Sequence, residues 1–162
     1  AAQWALLKFD PDHCINLGLV GGLNTELKIG EVMQVSACAF HDVDLTPFGY
    51  MHGQLPGSGL VKYELFSDSD QTYRPGTLIT GDVFVDDKSK IEKSLQLHSP
   101  LALDMELASI AHTMHINKKL QKLRAYKAVS DYVNKESAGD YRGNADMFKQ
   151  LQDLALKLIE RA

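Results

Sequence analysis

The chain has 162 residues, 44% of them hydrophobic and 23% charged, with a net charge of −4. That length suits one domain, residues 1–162, with a core that needs no disulfide or metal to hold it, and the interspersed acids and bases argue against a nucleic-acid face. Cys14 and Cys38 lie in apolar segments without metal-ligand spacing and read as buried reduced thiols of a cytoplasmic protein, while no apolar run reaches the roughly 18 residues of a membrane span and no leader pattern opens the chain.

In chain order, Ala2 to Phe9 reads as the end of a helix, and Asp10-Pro11-Asp12 turns the chain into CINLGL, a strand that stops at Gly21-Gly22. Glu31 to Phe40 is a second strand and Gly76 to Val85 a third. Pro100 to Asp104 is a fourth, leading directly into a helix from Met105 to His115, and Leu123 to Asp131 is a fifth. In the last segment Met147, Phe148, Leu151, Leu154, Ala155, Leu158 and Ile159 fall at helical spacing, which predicts an amphipathic helix over one sheet face. Strands alternating with helices argue for an α/β fold with a central mixed sheet flanked by helices, and such sheets collect ligands at the carboxyl ends of their strands.

The polar residues follow that geometry. Gly21-Gly22, Asp82, Asp104 with Glu106, and Ser130-Asp131 all fall at or just beyond predicted strand ends. Taken singly, each has an ordinary structural use as a tight turn or a helix cap. Taken together they outline a pocket with two or three carboxylates and no cationic partner, suited to hydroxyl groups and proton transfer, so that a polyol or sugar fits better than an anion.

The stretch FHDVDLTPFGYMHGQLPGSG, Phe40 to Gly59, is too long and too aromatic for a plain connection. It resembles the signature loop of the 5′-methylthioadenosine/S-adenosylhomocysteine nucleosidases, which reads much like H-D-x-D-x-T-x-F-G-Y-x-x-G-Q-x-P-G. The likeness extends to NLGLVGGL before the loop and to GDVFV, LDMELASIAH and AVSD after it, in the family's order from Ala1 to Ala162. It implies a three-layer, nucleoside phosphorylase-like α/β fold. It also implies an enzyme that hydrolyses the N-glycosidic bond of 5′-thio-substituted adenosines and releases adenine, working in methionine salvage as a cytoplasmic homodimer without cofactor or metal.

Carried over position by position, the resemblance assigns Glu106 to the ribose hydroxyls, Met105 to the underside of the sugar, and Asp104 to the same segment. Asp131 matches the acid that protonates the purine at N7, with Ser130 beside it to position the carboxyl, while Phe84 and Val85 match the pair that stacks on adenine and bonds its edge. Leu45, Phe48, Tyr50 and Pro56 match the wall of the apolar 5′-substituent pocket, part of which the family takes from the neighbouring subunit, and Tyr141 stands where the family has an aromatic lid. Val20 and Gly21 belong to the Gly-rich turn beside the attacking water.

The chemistry suits these residue types. Breaking a ribosyl C–N bond develops oxocarbenium character at the anomeric carbon, and the departing base needs a general acid that still holds its proton near neutral pH. Of the four arginines, Arg74, Arg124, Arg142 and Arg161, none stands in the Gly-rich turn where a phosphate would need a cationic clamp, which favours water over phosphate as nucleophile. Several features depart from the family. The connection from Gly57 to Gly76 looks shorter than the family's, which has a helix there, and is expected to be irregular. Leu19 and Val20 stand where small or hydroxylic residues are usual, Lys127 replaces a usual arginine, and a preceding segment with the first strands and the water-activating glutamate is expected before Ala1. A degenerate nucleoside-binding or dimerising domain, or a purine nucleoside phosphorylase, therefore stands as the alternative to a hydrolase.

Overall fold

The computed structural model describes residues 1–66, 72–133 and 145–160. In order these form helix α1 (Ala2–Phe9), strands β1 (Cys14–Gly22) and β2 (Val32–Phe40), a short β3 (Tyr63–Glu64), β4 (Arg74–Thr80), helix α2 (Glu92–His98), β5 (Ala102–Asp104), α3 (Leu107–Ile116), β6 (Leu123–Tyr132) and α4 (Ala145–Glu160). No described helix is long and apolar enough to cross a membrane.

Strand β6 is buried along nearly its whole length, as a strand covered on both faces must be. It runs parallel to β1, from Cys14 opposite Leu123 to Gly22 opposite Tyr132, and its middle also pairs antiparallel with β2 at Val32 and Ala128. Strand β4 lies parallel to both β2 and β5, and β5 meets the end of β1 antiparallel, with Gly21 opposite Leu103. The pairings therefore run β2–β4–β5–β1–β6 and return to β2, so the mixed sheet closes on itself and draws the carboxyl ends of β1, β5 and β6 together.

Helices cover the sheet on both sides. Leu107, Ala108, Ala111 and Met114 of α3 pack into the main core with Val35, Leu78, Leu123, Ala125 and Val129. On the other side Leu154 and Leu158 of α4 pack with Tyr126, Ile15 and Leu17. Met147, Leu151, Leu154 and Leu158 are buried, whereas Phe148 and Ile159 are exposed. The stripe that α4 buries is therefore narrower than its apolar spacing suggested.

Several expected boundaries shift. The third predicted strand ends at Thr80 rather than Val85. Gly81 turns the chain where the His41 ring would lie 2.4 Å from any Cβ, and Asp42 Oδ2 accepts the Asp82 N–H at 2.7 Å. Phe84 and Val85 consequently leave the sheet. The connection expected to be irregular contains β3, and β4 begins inside it; α2 was not expected at all. Cys38 is buried, and burial pushes its thiol pKa up, but Cys14 is only partly buried, so the paired expectation holds for one of the two.

His41 and His98 each keep a buried Nε2 without a hydrogen-bond partner. Burial holds both below the ordinary histidine value of 6.5, since desolvation penalises the imidazolium; for His41 the Asp42 carboxylate opposes the shift only in part. The unfolded chain then binds protons first, so the stability they confer is complete above about pH 6.5 and is lost as pH falls toward the depressed folded values. Thermal unfolding should accordingly give a midpoint that is level above about pH 7 and declines below about pH 6.5. His98→Asn should reduce the decline, and an identical pH profile in the variant would remove His98 from this role.

Candidate active site

The β1–β6 ladder carries one irregularity, and it sits where the polar residues gather. Val20 faces Val129, but the next pair is Gly21 with Asp131, so Ser130 is an extra residue in β6. Such a bulge re-aims the side chains around it. Ser130 Oγ lies 3.2 Å from the Val20 carbonyl and hydrogen-bonds Asp131 Oδ1, and both side chains are buried, Asp131 at 5% exposure.

Facing this pair across the end of β1 is Asp104, the last residue of β5, only 4% exposed. Its Oδ1 accepts from Thr80 Oγ1 at 2.6 Å and from the Glu106 N–H at 3.3 Å, and the Leu107 N–H lies 3.2 Å from both carboxylate oxygens. Thr80 Oγ1 in turn accepts the Ala108 N–H at 3.0 Å. The start of α3 is thus capped from the sheet, which satisfies amides that a helix would otherwise leave unpaired.

Asp104 also has a cationic partner, which corrects the expectation of a pocket without one. Lys127 Nζ lies 2.7 Å from Asp104 Oδ2, and Lys127 is 1% exposed. The signal was a lone lysine inside the apolar run LRAYKAVSD; its partner stands on another strand and could not be read from spacing.

These residues line a cavity of about 490 Å³, within the range of small-molecule sites. Val20, Gly21, Asp104, Met105, Glu106, Ser130 and Asp131 border it, as do Phe84 and Val85 from the segment after β4. Met105 and Glu106 are exposed at the head of α3; Val85 is buried and Phe84 half exposed. Asn16, Gly18, Lys127 and Phe148 also belong to the wall and were not anticipated as site residues. The arrangement offers a buried carboxyl with a hydroxyl partner, an accessible carboxylate, and a cation already neutralised. It suits a hydroxylated ligand and delivery of a proton. Among the described residues no group of His, Cys, Asp and Glu is placed to hold a metal ion.

Other expected members lie elsewhere. Asp82 is exposed and does not border the cavity, because the turn at Gly81 carries it away from the strand ends. Leu45, Phe48, Tyr50 and Pro56 also do not line it. Their loop is held both within itself and against α2: Asp44 accepts from Thr46 N–H at 3.0 Å and Oγ1 at 2.7 Å, and His52 Nε2 lies 3.1 Å from the Ser94 hydroxyl. The loop anchors Val43 and Leu55 against the main core, half buries Leu45 and Tyr50, and leaves Phe48 77% exposed. Tyr141 lies outside the described residues.

Comparison with known proteins gives a consistent picture. A family model described as Phosphorylase superfamily matches residues 1–162. A 5′-methylthioadenosine/S-adenosylhomocysteine nucleosidase of Bacillus subtilis is 31% identical over 171 aligned positions, covering 95% of this chain and 71% of the relative. One from Pseudoalteromonas translucida is 37% identical over 142 positions, covering 80% of this chain. The chain spans 59% of the length of that relative and 60% of one from Hydrogenovibrio crunogenus. Among solved structures, that of a putative nucleosidase of the same name from Borrelia burgdorferi, bound to adenine, superposes with a TM-score of 0.83 at 29% identity, covering all of this chain and 76% of that one.

The loop depends on Gly53, whose φ of 81° is left-handed and whose N–H donates to the Val43 carbonyl at 2.8 Å. A Cβ there would lie 2.8 Å from the Phe40 carbonyl oxygen. Gly53→Ala should therefore cost on the order of 1–3 kcal/mol in denaturant unfolding, and a variant as stable as the parent would show that this turn is not constrained.

Proposed function

This chain belongs to the phosphorylase superfamily and, within it, to the 5′-methylthioadenosine/S-adenosylhomocysteine nucleosidases; from that premise we propose that its cavity hydrolyses the N-glycosidic bond of 5′-thio-substituted adenosines and releases adenine. The observation that carries the reading is the pairing of Ser130 and Asp131 at the β6 bulge, buried and open to the same cavity as Glu106.

In this reading adenine lies against Phe84 and Val85, which border the cavity from the turn after β4. The ribose sits over Met105, with its hydroxyls donating to the Glu106 carboxylate. As the C–N bond breaks, its electron pair goes to the purine and positive charge develops at the anomeric carbon. Asp131 gives its proton to N7, so the base leaves neutral. Water adds to the anomeric carbon and loses a proton to solvent, from which the Asp131 carboxylate takes one back, giving adenine, the free 5′-thio-substituted ribose and the acid in its starting form. Ser130 holds the Asp131 carboxyl at the bulge. Val20 and Gly21 form the wall beside the incoming water.

The state of Lys127 favours water over phosphate. A phosphorylase needs a cation to receive its anionic nucleophile, and the cation that borders this cavity among the described residues is held by Asp104 at 2.7 Å. No cofactor enters the scheme.

The reading includes a homodimer. Leu45, Phe48, Tyr50 and Pro56 turn away from the cavity of their own chain, and an exposed apolar loop of this kind is suited to a second copy, where these residues would close the partner's 5′-substituent pocket. The same reading carries a cytoplasmic setting and a part in methionine salvage.

Adenine release from methylthioadenosine, followed with and without phosphate, tests the activity directly: release that requires phosphate would replace hydrolysis by phosphorolysis. Asp131→Asn should lower kcat by about 10²–10⁴ while KM stays within a few-fold, since an amide keeps the shape but has no acid proton to deliver. Glu106→Gln should raise KM and lower kcat together, because a neutral acceptor gives up charge-assisted bonds to the ribose; an unchanged KM would count against the ribose assignment. For the dimer, sedimentation should show two copies in the parent and dissociation with loss of activity in Phe48→Glu, and a parent that sediments as a monomer would end the shared-pocket reading.

A further inference from the structure

To hold the ribose, Glu106 must be aimed at it by something else in the fold. Its carboxylate is exposed at the head of α3, and among the described residues no side chain or backbone group hydrogen-bonds it. Its direction must come from its backbone. That backbone is held by Asp104, whose Oδ1 accepts the Glu106 N–H at 3.3 Å and whose two oxygens both face the Leu107 N–H at 3.2 Å. Asp104 is held in turn by Lys127 at 2.7 Å. Space for the ammonium is kept by Gly18, the residue paired with Lys127 in the β1–β6 ladder, where a Cβ would lie 3.0 Å from Nζ.

We propose that Lys127 is a positioning residue for the reaction: acting through Asp104, it fixes the first turn of α3 and so aims Glu106 at the ribose. The inference rests on the nucleosidase reading of the cavity. A buried ion pair is poor evidence for stability as such, because well-packed apolar residues often serve as well. Its value here is geometric. Thr80 already caps the same carboxylate from β4 and Lys127 locks it from β6, so the helix start is referred to two strands at once. With the ammonium gone, Asp104 keeps a buried charge without its counter-charge, and the carboxylate reorients at the expense of the amides it caps. Glu106 then shifts relative to a sugar whose base is still held by Phe84 and Val85. A misplacement of about 1 Å costs up to about a hundredfold in rate.

Phe84 and Val85, against which adenine lies, belong to the segment after β4, and Asp131 on β6 is held by Ser130 rather than by Lys127, and this separates a positioning role from a merely structural one. In Lys127→Met, kcat/KM for methylthioadenosine should fall by about tenfold to a hundredfold, with inhibition by free adenine unchanged. Adding Asp104→Asn to Lys127→Met should recover much of the loss, since the amide still accepts the Thr80 and Leu107 hydrogen bonds and no charge is stranded. If Lys127→Met does not fold, Gly18→Ala, which crowds the ammonium without removing it, should give a smaller loss with the same split between nucleoside and adenine. Equal loss of nucleoside turnover and adenine binding, or no loss in an active protein, would overturn the proposal. A parent protein that neither binds adenine nor releases it would overturn the nucleosidase reading, a result separate from either of these.

Discussion

The interior of this fold is organised around one buried pair of opposite charges. Lys127 and Asp104 are both almost wholly removed from water, and each would be costly there alone. Together, with Thr80 and the first amides of α3, they satisfy one another, and in doing so they tie β4, β5 and β6 to the helix that begins at the cavity. Apolar packing holds the two helices to the sheet, but it sets no register at the head of α3. That is the contribution of directional bonds, which exist only at one geometry.

The closed pairing of the strands explains why polar residues far apart in sequence share one cavity. Because β5 meets β1 antiparallel while β6 runs alongside it, the ends of all three converge at Gly21. A regular ladder there would alternate its side chains strictly. The extra residue at Ser130 breaks the alternation, so Ser130 and Asp131, adjacent in sequence, both border the cavity. Chemistry that needs a hydroxyl beside a carboxyl is thereby available from a dipeptide.

Much of this was legible in the sequence, for identifiable reasons. Strands β1, β2 and β6 are apolar or β-branched runs bounded by glycine, aspartate or a charged turn, and α3 and α4 carry clear helical spacing. Asp104, Glu106, Ser130 and Asp131 were readable as a group because each ends a strand. What escaped depended on contacts distant in sequence. GDVFV looks like a strand interior, and only the His41 ring against Gly81 reveals that the chain must turn. Helix α2, with the sequence EKSLQLH, is short and has no sustained apolar stripe. Lys127 read as an isolated substitution until β5 brought a carboxylate to it. The loop residues Leu45, Phe48, Tyr50 and Pro56 were assigned to a pocket by likeness of sequence, and the fold of one chain turns them away from its own cavity.

The parallel ladder between β1 and β6 has a consequence for how the chain reaches this state. Val20 and Ser130, bonded across it, are 110 positions apart, and a loop of that length must be closed before the contact returns any energy. During synthesis β1 leaves the ribosome before β6. In the interval the β1 donors and acceptors that β6 will satisfy have no ladder, and the apolar run from Ile15 to Val20 is available to any other strand it meets. The Ser130-Asp131 dipeptide is thus built into the step that closes the fold, so a chain trapped short of completion is one that also lacks the carboxyl proposed as proton donor.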